Sequence, residues 1–186
     1  MFALMDYNRD ITSWDVSCSA TSHGCGHATL SFTAMFSGNT AFNQDISRWT
    51  LSGGVYFSYM FAWTDYNRDI TSWDVSSESY SNKYRLTTNF AEMFSGNTAF
   101  NQDISRWNVS RGASFSNMFN GATSFNQPLG GWDLDNVHDI ASMFRGATSF
   151  NQPLNNWKIG KGPCSPDQQW PCGSVWVRFY PFYLWA

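Results

Sequence analysis

One short pattern recurs along the whole chain and limits what it can fold into. The dipeptide Met-Phe stands at Met1, Met35, Met60, Met93, Met118 and Met143. A Trp follows each, at Trp14, Trp49, Trp73, Trp107, Trp132 and Trp157. Three of the five Met-to-Met intervals are 25 residues, and the other two are 34 and 33. The unit therefore reads about MFxGAxxFNQDIxxWxV, with extra residues after Trp14 and Trp73 in "CSATSHGCGHATL" and "SESYSNKYRLTT". Fifteen residues, "MFSGNTAFNQDISRW", occur unchanged at 35–49 and 93–107, and "DYNRDITSWDVS" at 6–17 and 65–76. The long and short intervals alternate because a two-unit block is duplicated in tandem. A unique active site rarely requires such identity, whereas a stacked scaffold does.

Each position of the unit has a physical reading. Tyr7, Phe42, Tyr66, Phe100, Phe125 and Phe150 share one site, and Ile11, Ile46, Ile70, Ile104, Leu129 and Leu154 follow four residues later. Two residues beyond each Trp come Val16, Leu51, Val75, Val109, Leu134 and Ile159, a spacing that predicts one face of a short strand. Phe32, Phe57, Phe90, Phe115 and Ile140 stand three residues before a Met, which predicts one helical or 3-10 turn. A single unit buries too few side chains to offset the entropy of ordering its backbone, so neighbours must cover its open faces. The expected fold is an α/β repeat solenoid. Each turn of about 25 residues carries one short parallel strand plus a short helical or 3-10 segment. Residues 1–159 form the solenoid, with insertions at about 18–30 and 77–87, and residues 160–186 form a non-repeat tail or cap.

Asn occupies one site in every unit: Asn8, Asn43, Asn67, Asn101, Asn126 and Asn151. Its side-chain amide is expected to satisfy backbone groups at the bend and to bond from turn to turn.

These residues resemble the BspA-like leucine-rich-repeat surface proteins, in the variant with "FNQDIxxWDVS" repeats found in mycoplasmal sequences of unassigned function. The resemblance covers residues 1–159. It implies a leucine-rich-repeat-like fold, extracellular or cell-surface display, and a role in adhesion or protein interaction. It brings no catalytic residue. Met1 is itself the Met of a unit and no signal peptide is visible, so missing upstream sequence is the favoured reading of the N-terminus.

Candidate sites are few. The residue between each Trp and the next apolar position gives a stripe, Asp15, Thr50, Asp74, Asn108, Asp133 and Lys158, expected to face outward from the sheet and to form a binding surface. Asp10, Asp45, Asp69 and Asp103 form a second series, replaced by Pro128 and Pro153 later. Paired carboxylates serve acid–base chemistry or calcium, but recurrence once per unit favours a solvated polar face. Cys18, His23, Cys25 and His27 offer donors that zinc accepts, at irregular spacing. A local disulfide or free thiols is the plainer reading of this pair, and of Cys164 with Cys172.

Charged residues are only 13% of the chain and the net charge is −3, which excludes a basic nucleic-acid-binding surface. No apolar run is long enough to span a bilayer, and the tail "VWVRFYPFYLWA" is interrupted by Arg178 and Pro181. No nucleophile–base pair, phosphate loop or zinc-protease motif is present, and no cofactor is expected. The function expected is a non-catalytic surface or secreted interaction module taking a protein or glycan ligand. A carbohydrate-active solenoid enzyme and a truncated fragment are the alternatives.

Overall fold

The computed structural model describes residues 2–4, 6–14, 16, 30–51, 54–76, 87–157 and 159. Four short strands, β1 (Leu30–Ser31), β2 (Gly54–Tyr56), β3 (Thr88–Asn89) and β4 (Gly112–Ser114), pair in parallel in chain order. Leu30 lies opposite Gly54, Tyr56 opposite Asn89, and Asn89 opposite Ser114. Isolated parallel bridges extend the pairing from Ser114 to Asp139 and from Leu134 to Ile159.

The strands thus lie farther along the chain than Trp-x-Val, immediately before Phe32, Phe57, Phe90 and Phe115. Among the described residues, only the Leu134–Ile159 bridge marks pairing at the expected position. A spacing of two places both side chains inward on any extended backbone; it does not say whether that backbone has a partner.

No helix occurs among the described residues. The expected helical segment is instead a row of turns. Met60 N–H donates to Phe57 C=O at 3.1 Å and Ala62 N–H to Tyr59 C=O at 3.1 Å. The three-residue spacing does close a turn, but Tyr59 (φ 59°) and Trp63 (φ 53°) lie in the left-handed region and stop a helix from propagating. Ala34, Glu92, Asn117 and Ser142 repeat the first of these left-handed positions. Gly38, Gly96, Gly121 and Gly146 occupy the second, where a residue without Cβ adopts positive φ at no steric cost.

Backbone groups not used within a turn bond to the neighbouring unit. Phe57, Tyr59, Phe61 and Trp63 N–H donate to the carbonyls of Asn89, Ala91, Met93 and Ser95 at 2.8–3.1 Å. Phe90, Glu92, Phe94 and Gly96 do the same to Ser114, Ser116, Met118 and Asn120 at 2.7–2.9 Å. Alternate residues therefore bond within the unit and between units, which leaves few orphan groups in a segment lacking regular helix or sheet.

The aromatic residues align in columns. Phe2, Phe36, Phe61, Phe94, Phe119 and Phe144 follow one another with ring centroids 5.6–6.0 Å apart. Phe32, Phe57, Phe90 and Phe115 form a second column at 5.0–5.6 Å. Within units Phe36 lies 3.8 Å from Phe42 and Phe94 3.8 Å from Phe100. Apart from Phe2 and Phe144, which pack against it half-buried, these rings form one buried cluster with Ile46, Ile70, Ile104 and the intervening Trp side chains. Phe144, Phe150, Leu154 and Trp157, of the last described unit, are only half-buried.

Candidate functional site

The repeated polar residues were the leading site candidates, and the structure gives most of them structural partners. Asn101 Oδ1 accepts the backbone N–H of Asn126 at 2.9 Å and Gln127 Nε2 at 3.0 Å. Gln127 Nε2 also reaches the Asn101 carbonyl at 2.9 Å. The same arrangement links Asn8 to Asn43 and Gln44, Asn67 to Asn101 and Gln102, and Asn126 to Asn151 and Gln152. At Asn43 the following unit carries Arg68, as the first unit carries Arg9, where the other four have Gln, and the Arg68 Nε donates to the Asn43 carbonyl and Oδ1 at 3.1 and 3.2 Å. A guanidinium N–H there replaces an amide N–H. The Asn series bonds from unit to unit, as its recurrence suggests.

Each Trp indole does likewise. Nε1 of Trp49, Trp73, Trp107, Trp132 and Trp157 donates to the carbonyl of Ile11, Ile46, Ile70, Ile104 and Leu129 in the preceding unit at 2.8–3.2 Å.

The aspartates cap turns locally. Asp10, Asp45, Asp69 and Asp103 accept the backbone N–H two residues on, from Thr12, Ser47, Thr71 and Ser105, at 2.8–3.0 Å. The backbone N–H groups of Thr12 and Ser47, more than their hydroxyls, hold Asp10 and Asp45 below the usual carboxylate range. At Asp103 the Ser105 hydroxyl leads and its backbone N–H follows. Pro128 and Pro153 replace the aspartate in later units, and a fixed φ sets the bend there without a cap. An open depression of about 420 Å³ lies beside these prolines, lined by Ser105, Pro128, Gly130, Gly131, Gln152 and Pro153 among others. None of its lining residues titrates near neutral pH, so it offers no acid or base.

Of the outward stripe, Thr50, Asp74, Asn108 and Asp133 are exposed and lie outside the strands. Asp74 and Asn108 each hold the backbone N–H and hydroxyl of the Ser two residues on, Ser76 and Ser110, and Asp133 holds Asp135 N–H. Asp15 and Lys158 lie outside the described residues, as do Cys18, His23, Cys25, His27, Cys164 and Cys172. Among the described residues no three His, Cys, Asp or Glu side chains come together to hold a metal ion, and no helix is long and apolar enough to cross a membrane.

Two features escape the repeat pattern read by spacing alone. Asn39 and Asn97 are fully buried; their Nδ2 groups donate to the Tyr7 and Tyr66 carbonyls at 2.9 and 3.0 Å, and their Oδ1 atoms accept Phe42 and Phe100 N–H at 3.1 and 3.0 Å. The signal for them was the identical "SGNTAF" stretch, where later units read "GATSF". The second is Trp63, 54% exposed, at the position where Gly38, Gly96, Gly121 and Gly146 stand in other units.

Comparison with known proteins returns no match among curated proteins or solved structures. The family described as "Mycoplasma protein of unknown function, DUF285" matches residues 1–86 and again 81–163. The two matches cover most of the chain and overlap within the second insertion. The chain belongs to the DUF285 family.

Proposed function

We propose that this chain is a non-catalytic interaction module, a leucine-rich-repeat-like solenoid displayed at a cell surface or secreted, where it mediates adhesion to a protein or glycan. The observation that carries this reading is the use of the repeated polar groups. Asn, Gln and Trp side chains bond unit to unit, and the aspartates cap turns. That arrangement serves a scaffold whose specificity lies in residues that vary between units, such as Trp63. Membership of a repeat-type family of unknown function is compatible with it.

The test is binding of the full chain to an array of extracellular-matrix proteins and cell-surface glycans. Saturable binding to a defined class is the expected result. A folded protein that binds no member of the array would contradict the reading.

A further inference from the structure

We infer that Tyr59 and Trp63 form a platform for a β-linked hexopyranose oligosaccharide, with Glu92 and Asp65 as its hydrogen-bonding rim. This rests on the reading of the chain as an interaction module and places the contact at one unit.

The first argument is conformational. Trp63 adopts φ 53° at a position where four other units carry Gly. Positive φ recurs at this position, with Leu4 at 57° and the glycines at 68–74°, so the backbone belongs to the fold and the large aromatic side chain is what sets this unit apart. Such a departure points toward function when folding does not need it. Folding does not need this one: Trp63 leaves 54% of its surface exposed. The duplicated block reads "MFALMDYNRD" at its first occurrence and "MFAWTDYNRD" at its second, so Leu4 stands where Trp63 does. The fold accepts Leu, Gly or Trp at this site.

The second argument is geometric. The Trp63 ring lies over Gly96 of the next unit, so closely that a Cβ on Gly96 would meet Trp63 Cδ1 at 2.4 Å. Glycine there lets the indole lie down on the backbone. Tyr59 places its ring 6.3 Å from that of Trp63 at an interplanar angle of 28°. Its hydroxyl donates to Glu92 Oε1 at 2.6 Å, which fixes the ring. Beyond Trp63, Gly121 approaches Gly96 and Gly146 approaches Gly121, continuing a floor of bare backbone over the following units.

The third argument is chemical. The turn rows 57–64, 90–97 and 115–122 contain a single charged residue, Glu92, and no cation that would hold phosphate. Two aromatic rings fall well short of the roughly 800 Å² per partner of a stable protein interface. The negative π face attracts polarised C–H groups, and the faces of a β-linked glucose-type ring present these in a flat array. Carboxylates suit the ring's vicinal hydroxyls. Among the described residues nothing bonds the second oxygen of Glu92, and exposed Asp65 has only the Thr98 hydroxyl at 3.4 Å.

The experiment is calorimetric titration of the full chain with cellohexaose and chitohexaose, alongside the Trp63 indole N–H signal by NMR. Trp63→Gly restores the residue most other units carry, so it folds, and it weakens binding by a few-fold up to about tenfold, the scale of one aromatic contact. Tyr59→Phe keeps the ring, frees Glu92 and weakens binding less. Saturable binding that shifts the Trp63 signal and is weakened in Trp63→Gly supports the platform. Binding unchanged in Trp63→Gly overturns it. If neither oligosaccharide binds, the platform is also overturned; the array then decides the module reading separately.

Discussion

Replacing Asn101 by Ala isolates one rung between units. Its own backbone N–H still bonds to Asn67 Oδ1 at 2.9 Å, so the rung on that side survives. What disappears is the acceptor for Asn126 N–H at 2.9 Å. Gln127 keeps its bond to the Asn101 carbonyl at 2.9 Å, so only its shared contact to Oδ1 is lost. An unsatisfied buried N–H costs about 1–3 kcal/mol, and water reaches this half-buried site, so about 1.5 kcal/mol is expected. For a chain of this length that lowers Tm by about 3–6 °C. Asn101→Asp retains both acceptor lone pairs, and no described group accepts from the lost amide. It is therefore expected within about 0.5 kcal/mol of the parent at pH 7. Urea and thermal unfolding of the three proteins measure this. Equal loss in Asp and Ala, or no loss in Ala, would refute the acceptor argument.

Other substitutions test the remaining contacts. Tyr66 fills a site that is Tyr7 in the first unit and Phe in the other four, is fully buried, and its hydroxyl has no hydrogen-bond partner. Burial, with the Asp45 carboxylate adding to it, pushes this phenol far above its ordinary range. Tyr66→Phe is expected to be neutral or to stabilise by up to about 1–2 kcal/mol in urea unfolding. Ser105→Ala removes the hydroxyl that leads in depressing Asp103, so an NMR titration should show that carboxyl move up toward its ordinary value. With folded values depressed, Asp10, Asp45 and Asp103 contribute stability present above the unfolded pKa of about 4 and lost as pH falls through the folded values. Urea midpoints should therefore decline below pH 4, and less steeply in Ser105→Ala. Phe94→Ala leaves a hole between Phe61, Phe100 and Phe119 and should destabilise by about 3–5 kcal/mol, measured the same way.

The sequence disclosed periodic features more readily than conformational ones. Recurrence marked Asn8 through Asn151 as a bonded series, and the aromatic sites as core, because identical side chains at identical intervals meet their own counterparts. It placed the strand at Trp-x-Val, since a period of two marks an inward face and is silent about pairing. It read Phe-x-x-Met as a helical or 3-10 turn, since a three-residue bond is common to helix and turn. The left-handed backbone at Tyr59 and Glu92 separates the two, and neither residue type announces positive φ. Among the site candidates, Asp74 and Asp133 are exposed, and their carboxylates also hold the N–H groups of Ser76 and Asp135. An Asx cap and a binding carboxylate are indistinguishable in a string. Trp63 was hidden for the opposite reason: it departs from the repeat, and a consensus averages such departures away.

Native-state hydrogen exchange tests the unit-to-unit backbone bonding most directly. The amides of Phe57, Tyr59, Phe61 and Trp63, and those of Phe90, Glu92, Phe94 and Gly96, each donate to the next unit. They should be strongly protected and open together, with one common free energy, because breaking a junction exposes all four at once. Exchange of these eight amides at the rate of an unfolded chain, while the turn amides within units stay protected, would contradict the account.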